Sequence, residues 1–253
     1  MFYSKNIKKL KDINHCFFSK RNGFSKGIYK SLNCGRGSKD NKENINKNLV
    51  FVSNKMGVQK NKLILMNQSH SNKVVEIKVN NYKTKIKADA MVTKMKGIAL
   101  GVVTADCVPI ILYDVKNQII GCVHAGWKGA YLGIIKNTIN KIKKMNSNNL
   151  IYACLGPCIG YKSYEVDLVF FKKFINLSNK NKKYFTYKNN NKKLFNLRKF
   201  VTDKLLKYKI RVDQVNRDTF TQKANFFSYR RSMKLEEKDY GRCISVVSMP
   251  KLY

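Results

Sequence analysis

Two of the three histidines in this chain lie in short turns, His70 in Gln68-Ser69-His70-Ser71 and His124 in His124-Ala125-Gly126-Trp127-Lys128-Gly129. Cys107 stands between them in Thr104-Ala105-Asp106-Cys107, 37 residues after the first and 17 before the second. One thiolate and two neutral imidazoles suit a borderline-soft ion, zinc (Zn2+) first and copper (Cu2+) second, and three protein donors leave a tetrahedral position open for water or substrate. Long spacings carry no ligand signature, so ordinary burial of Cys and His is the competing reading. A metal-free Cys–His hydrolase or deamidase, with Cys107 as nucleophile and His124 as base, is a second use of the same residues.

For these side chains to meet, three strand ends must converge, because each follows an apolar run. Ile119-Ile120-Gly121-Cys122-Val123 leads into His124, and the apolar spacing of 131–145 then reads as a helix. The amides at its start, beside Lys128, suggest an anion site next to His124. Strands are expected near 13–18, 63–66, 73–79, 98–104, 109–113, 119–124, 150–155, 225–229 and 242–248, and further helices near 42–56, 167–176 and 196–208. Asp40 or Asn41 can cap the first helix and Gly57 can stop it. Several strands succeed one another with no helix between, which predicts an α+β fold with largely antiparallel or mixed sheets flanked by helices.

Around the triad, Asp106 is the acid–base candidate by adjacency, with a histidine-orienting or turn-forming carboxylate as the alternative. Arg230 or Arg231 could reach an anionic substrate group, or pair with Glu165 or Asp89. Trp127 reads first as a packed turn and second as a base-stacking surface. Cys122 and Cys154 read as core, Cys158 as close packing beside the site, and His15 receives no metal role.

Composition sets outer limits. With 253 residues, 43% of them hydrophobic, and three prolines, the chain reads as one compact domain over 1–253, with Ser178 to Lys193 as an exposed insertion. A net charge of +36 points towards nucleic acid, yet the 51 basic residues comprise 8 Arg and 43 Lys scattered throughout. Non-specific, salt-sensitive attraction is expected, and specific recognition is not. Seven irregularly spaced cysteines argue against a disulfide framework and for a reducing cytoplasm. No secretory signal and no membrane span is expected; oligomeric state is not readable.

Several strings in order carry a resemblance: Phe17-Phe18-Ser19-Lys20-Arg21-Asn22-Gly23-Phe24-Ser25, Ser31-Leu32-Asn33-Cys34-Gly35, Ala88-Asp89-Ala90-Met91-Val92-Thr93, Thr104-Ala105-Asp106-Cys107, His124 to Gly129, Gly156-Pro157-Cys158-Ile159-Gly160, Phe226-Phe227-Ser228-Tyr229-Arg230-Arg231 and Tyr240-Gly241-Arg242. Together they resemble the laccase-domain, or multicopper polyphenol oxidase, family, now regarded as purine nucleoside phosphorylases. The resemblance implies a zinc enzyme that cleaves adenosine, inosine or S-methyl-5′-thioadenosine with inorganic phosphate and has adenosine deaminase activity besides. His70, Cys107 and His124 keep the metal-ligand positions of that family; Asp106, Cys107 and His124 are the candidate catalytic groups, and Lys20, Asn33, Lys128 and Arg230 the candidate substrate or phosphate contacts. Lys20 and Lys128 stand where that family usually has Arg, keeping the charge but losing the planar fork. Three histidines are too few for multicopper oxidase chemistry.

Overall fold

Strands buried on both faces decide the architecture. The computed structural model describes residues 1–250. Strands β1 (Asn14–Phe17), β2 (Leu63–Asn67), β4 (Ile86–Lys87), β6 (Ile98–Thr104) and β14 (Cys243–Met249) form a five-stranded sheet in the order β1-β14-β6-β2-β4. Strands β3 (Val74–Glu76), β5 (Ala90–Thr93), β7 (Val108–Asp114), β8 (Ile119–Ala125), β9 (Ile151–Leu155) and β13 (Arg211–Gln214) form a six-stranded sheet, β13-β9-β7-β8-β5-β3. Both are mixed: β2 runs parallel to β6 and β13 to β9, whereas β6 with β14 and β7 with β8 are antiparallel.

Side chains alternate across each strand, and here both sides find a partner layer. Ile98, Leu100 and Val102 of β6 meet Ile111, Tyr113, Ile120 and Cys122 of β7 and β8, so the two sheets pack face to face. On the outer side of the five-stranded sheet, Ala99, Ile244 and Val246 meet Ile45, Leu49 and Val52 of α1 (Lys42–Lys55). Beyond the six-stranded sheet, Ile110, Leu112 and Val123 meet Ile135, Ile139 and Ile142 of α3 (Ile134–Met145) and Phe200 and Leu205 of α5 (Leu197–Leu206). The result is a helix–sheet–sheet–helix sandwich of the expected α+β class.

A smaller antiparallel sheet, β10 (Glu165–Asp167), β12 (Lys192–Phe195) and β11 (Phe185–Asn189), flanks α4 (Leu168–Leu177). Residues 186–192 are exposed, while Tyr184 is buried in the core against Phe200. All seven cysteines are unpaired. No helix of the described residues is long and apolar enough to cross a membrane.

Two expectations are corrected. The helix expected at 131–145 starts earlier and is broken: α2 (Trp127–Leu132) ends at Gly133, whose φ of +92° caps it in the left-handed region before α3 begins. Residues 225–229 form no strand. Phe226 and Phe227 bury as a wedge beside Cys243, and Ser228 accepts from the Arg231 amide to start α6 (Tyr229–Lys234). A serine cap outweighs the strand preference of the aromatic pair. At α1, Asn41 is the cap, accepting from the Glu43 and Asn44 amides, and Gly57 follows with φ +68°.

Candidate metal centre

His70 lies just beyond β2 of the five-stranded sheet, Cys107 in the turn that crosses from β6 to β7, and His124 near the end of β8 in the six-stranded sheet. Their donor atoms all lie within 4.8 Å of one another, and Cys107 Sγ is 3.7 Å from His70 Nε2. A tetrahedral zinc with Zn–S of roughly 2.3 Å and Zn–N of roughly 2.1 Å separates its donors by roughly 3.5 Å, so the cluster fits such an ion. Gly126 permits the approach: a Cβ there would sit 2.9 Å from both Cys107 Sγ and His70 Cδ2. A Cβ at Gly129, in the helix that follows, would likewise sit 2.9 Å from the Ser71 carbonyl oxygen.

The loop bearing His70 is held from two sides. Gln68 exchanges hydrogen bonds with the Val103 amide and carbonyl, continuing the β2–β6 pairing with a side chain. The amides of Ser69, His70 and Ser71 and the Ser71 hydroxyl all donate to the Asp89 carboxylate, and His70 takes a φ of +58° there. Asp89 Oδ1 also accepts from His124 Nδ1 at 2.8 Å, which leaves Nε2 as the free ring nitrogen of His124. Burial alone would raise the Asp89 carboxyl, but hydrogen bonds from His124 and Ser71 hold it well below the usual carboxylate range. Burial of His124 is likewise overridden, by Cys107 and Asp89, which raise its imidazole to about 9. For Cys107, burial opposes ionisation while His124 and His70 favour it, bringing the thiol down to about 7.

Asp106 sits beside Cys107 in the chain, but its carboxylate is committed to another segment. With φ +84° it turns away, and its carboxylate accepts from Thr219 Oγ1 (2.6 Å), Ser228 Oγ (2.9 Å) and the Arg230 amide (2.7 Å). Burial pushes its carboxyl up despite these bonds. Such a carboxylate anchors the 219–230 segment to the Cys107 turn.

A cavity of about 360 Å³ opens on the cluster, with His70, Cys107 and His124 on one side and Arg36, Tyr240 and Arg242 among the other walls. That volume falls within the range of small-molecule sites. A second cavity, of about 200 Å³, also touches His70 and Cys107, and Asp106, Trp127 and Arg230 line it. Asn33 is buried behind the larger cavity, where its side chain accepts from the Gly35 and Arg242 amides. Lys20 is stacked over Phe227 and Lys128 is exposed; neither lines these cavities. Arg230 donates to the Glu165 backbone carbonyl, and Arg231 to the carbonyls of Thr219, Phe220 and Phe226. Neither pairs with the Glu165 or Asp89 carboxylate. Trp127 packs edge-on against Phe170. Cys122, Cys154 and Cys158 are fully buried, and His15 accepts from the Ser4 amide, far from the cluster in the chain.

Sequence reasoning missed Asp89 as the orienting carboxylate, and Arg36, Gln68 and Arg242 as walls or braces of the larger cavity. A usable signal existed for the arginines. In a chain with so few, arginine marks places where a planar fork is required, as at Arg198, which donates to the carbonyls of Gly156, Val215 and Arg217.

A profile described as multi-copper polyphenol oxidoreductase laccase matches residues 14–250. The chain belongs to that family. Among curated members similar to it, a purine nucleoside phosphorylase of Rickettsia conorii is 34% identical over 189 residues, covering 74% of this chain and 78% of that protein. One of Rickettsia prowazekii is 34% identical over 209 residues, covering 82% and 85%. A solved structure of a Neisseria meningitidis protein superposes with a TM-score of 0.84 at 27% identity, covering 95% of each chain. The fold of the laccase-like family is thus present throughout, and relatives bearing the phosphorylase name support an enzyme of that kind.

Proposed function

We propose that this protein is a zinc-dependent purine nucleoside phosphorylase acting on adenosine, inosine and S-methyl-5′-thioadenosine, with adenosine deamination as a second activity. The observation that carries this reading is a three-donor His–Cys–His cluster forming the wall of a cavity large enough for a nucleoside. In phosphorolysis a phosphate oxygen bonds to the anomeric carbon as the bond to the purine nitrogen breaks. The electron pair leaves with the purine, which takes up a proton. A bound zinc would supply Lewis-acid polarisation and, for deamination, an activated water. The chain's own contribution is positional: Asp89 fixes the ring of His124 and the loop of His70, and Gly126 lets the thiol and imidazole close together.

Incubating metal-loaded protein with adenosine and phosphate, then separating products by chromatography alongside metal analysis, tests the proposal. Phosphorolysis gives adenine and ribose 1-phosphate, and deamination gives inosine without phosphate. Metal-replete protein that makes neither from any of the three nucleosides would sink it. The Cys–His hydrolase is the second reading, favoured by the depressed Cys107 thiol beside two imidazoles. It predicts rapid alkylation of Cys107 in metal-loaded protein and a covalent intermediate at that residue. A nucleic-acid-binding role has no comparable support.

A further inference from the structure

Beside α1, a third cavity of about 390 Å³ is lined by Arg36, Lys42, Ile45, Asn46, Leu49 and Lys60. That volume lies within the range of small-molecule sites. Lys42, Ile45, Asn46 and Leu49 recur three and four residues apart, so one face of α1 makes a wall. Arg36 comes from the loop before the helix, and Lys60 from the short turn Lys60–Lys62 that follows it. Of these six, Arg36 alone also lines the metal-facing cavity, and none lines the cavity that holds Arg230.

The lining gathers three cations and no carboxylate. Lys42 occupies the first turn of α1, where the positive end of the helix dipole disfavours a cation. The acids nearest to it in the chain are engaged elsewhere: Glu43 pairs with Lys47 at 2.7 Å, and Asp40 accepts from Asn33 Nδ2 and the Asn41 amide. Among the described residues, the side chains of Arg36 and Lys42 have no hydrogen-bond or ion-pair partner, and Lys60 donates to Asn46. Arg198 and Arg231 differ in this respect, since backbone carbonyls engage their guanidinium groups. The three like charges therefore converge with nothing in the protein to offset them, above an apolar floor of Ile45 and Leu49, each 4% exposed. A multiply charged anion carried on an organic body answers both features.

We infer that this third cavity is a second small-molecule site, for an anion with two or more phosphoryl groups on a partly apolar body, a nucleoside 5′-diphosphate being the simplest probe. Arg36, Lys42 and Lys60 hold the phosphoryl oxygens, and Ile45 and Leu49 underlie the body. The site lies outside the reaction proposed above and does not depend on it.

ADP, pyrophosphate, citrate and adenosine are each titrated calorimetrically into the metal-loaded protein at about 0.15 M salt, where charges more than about 8 Å away are screened. The same titrations use Lys42→Gln with Lys60→Gln, Arg36→Gln, Arg242→Met and, as a control for net charge, Lys136→Gln with Lys144→Gln at exposed positions of α3. Affinity for ADP is expected to fall about tenfold or more in the first two variants and to stay within about twofold in the last two. Adenosine binding should be the same in wild type and in Lys42→Gln with Lys60→Gln, and pyrophosphate should bind more weakly than ADP. Lys42 and Lys60 are exposed and line neither other cavity, so their replacement reads this site alone in a folded protein. Unchanged ADP binding in Lys42→Gln with Lys60→Gln overturns the inference. An equal loss in the α3 control would reduce it to diffuse attraction, and an equal loss in Arg242→Met would move the ligand to the metal-facing cavity; either also overturns it. Citrate binding tighter than ADP would overturn the choice of phosphoryl groups.

Discussion

Asp89 and Asp106 are both buried carboxylates wrapped by hydrogen-bond donors, and they flank the same cysteine with opposite consequences. Asp89 is 18 residues from Cys107 in the chain, yet it binds His124 and the three amides of the His70 turn. Asp106 is the chain neighbour of Cys107, and all its donors come from the 219–230 segment. Proximity along the chain picked out the acid that anchors a loop. Proximity across the sheet picks out the acid that orients an imidazole.

Removing Asp89 should do the greatest damage. Asp89→Ala strands three amides and the His124 Nδ1, so it is expected to cost about 3–5 kcal/mol in stability and about 10–100-fold in metal affinity. Denaturant titration and chelator competition read the two effects, and intact metal affinity in a folded variant would erase the contrast between the two acids.

His15 is a buried imidazole with neither a thiol nor a carboxylate hydrogen-bonded to its ring, and it titrates in the opposite direction from His124. Burial lowers the His15 imidazole to about 4 from an ordinary 6.5, outweighing the nearby Asp213, which pulls the other way; the ring accepts the Ser4 amide. The unfolded chain therefore protonates first as pH falls. His15 contributes its full share of stability above about pH 6.5 and loses about 3 kcal/mol of it as pH drops towards 4. His15→Gln keeps an acceptor without the titration, so its stability should vary less over this range; parallel curves for the two proteins would contradict the assignment.

A third test probes closeness rather than charge. Gly126→Ala places a methyl 2.9 Å from Cys107 Sγ and His70 Cδ2, and should cost about 1–3 kcal/mol while weakening metal binding. An unperturbed metal affinity would show that the turn shifts freely. The smallest effect is expected for Asp106→Asn: a loss of about 1–2 kcal/mol with metal affinity unchanged. A collapse of kcat with an altered pH profile in a fully folded Asp106→Asn protein would restore Asp106 as a proton carrier.

What the sequence discloses follows from what is local. Strands β6, β7, β8 and β14 are legible because burial on both faces leaves nearly unbroken apolar runs, and His70, Cys107 and His124 are legible by chemical type. Asp89 depends on register: Ala90 pairs with Val123 across β5 and β8, which sets Asp89 opposite His124. Pairing partners are not written in either segment alone. Lys20, Lys128 and Asn33 stand out in their strings by residue type, and only the tertiary arrangement reveals that they stand off the cavity walls. Residues 225–229 show the same limit at smaller scale, where one serine cap redirects an aromatic run.

The three donor residues come from two different layers, His70 from just beyond the end of β2 in one sheet, His124 from the other, and Cys107 from the chain that passes between them. Any ion seated there is a rivet through the sandwich. Its departure would slacken the seam between the sheets as well as disarm the chemistry, so a cell starved of the metal would lose the protein's durability and its activity together.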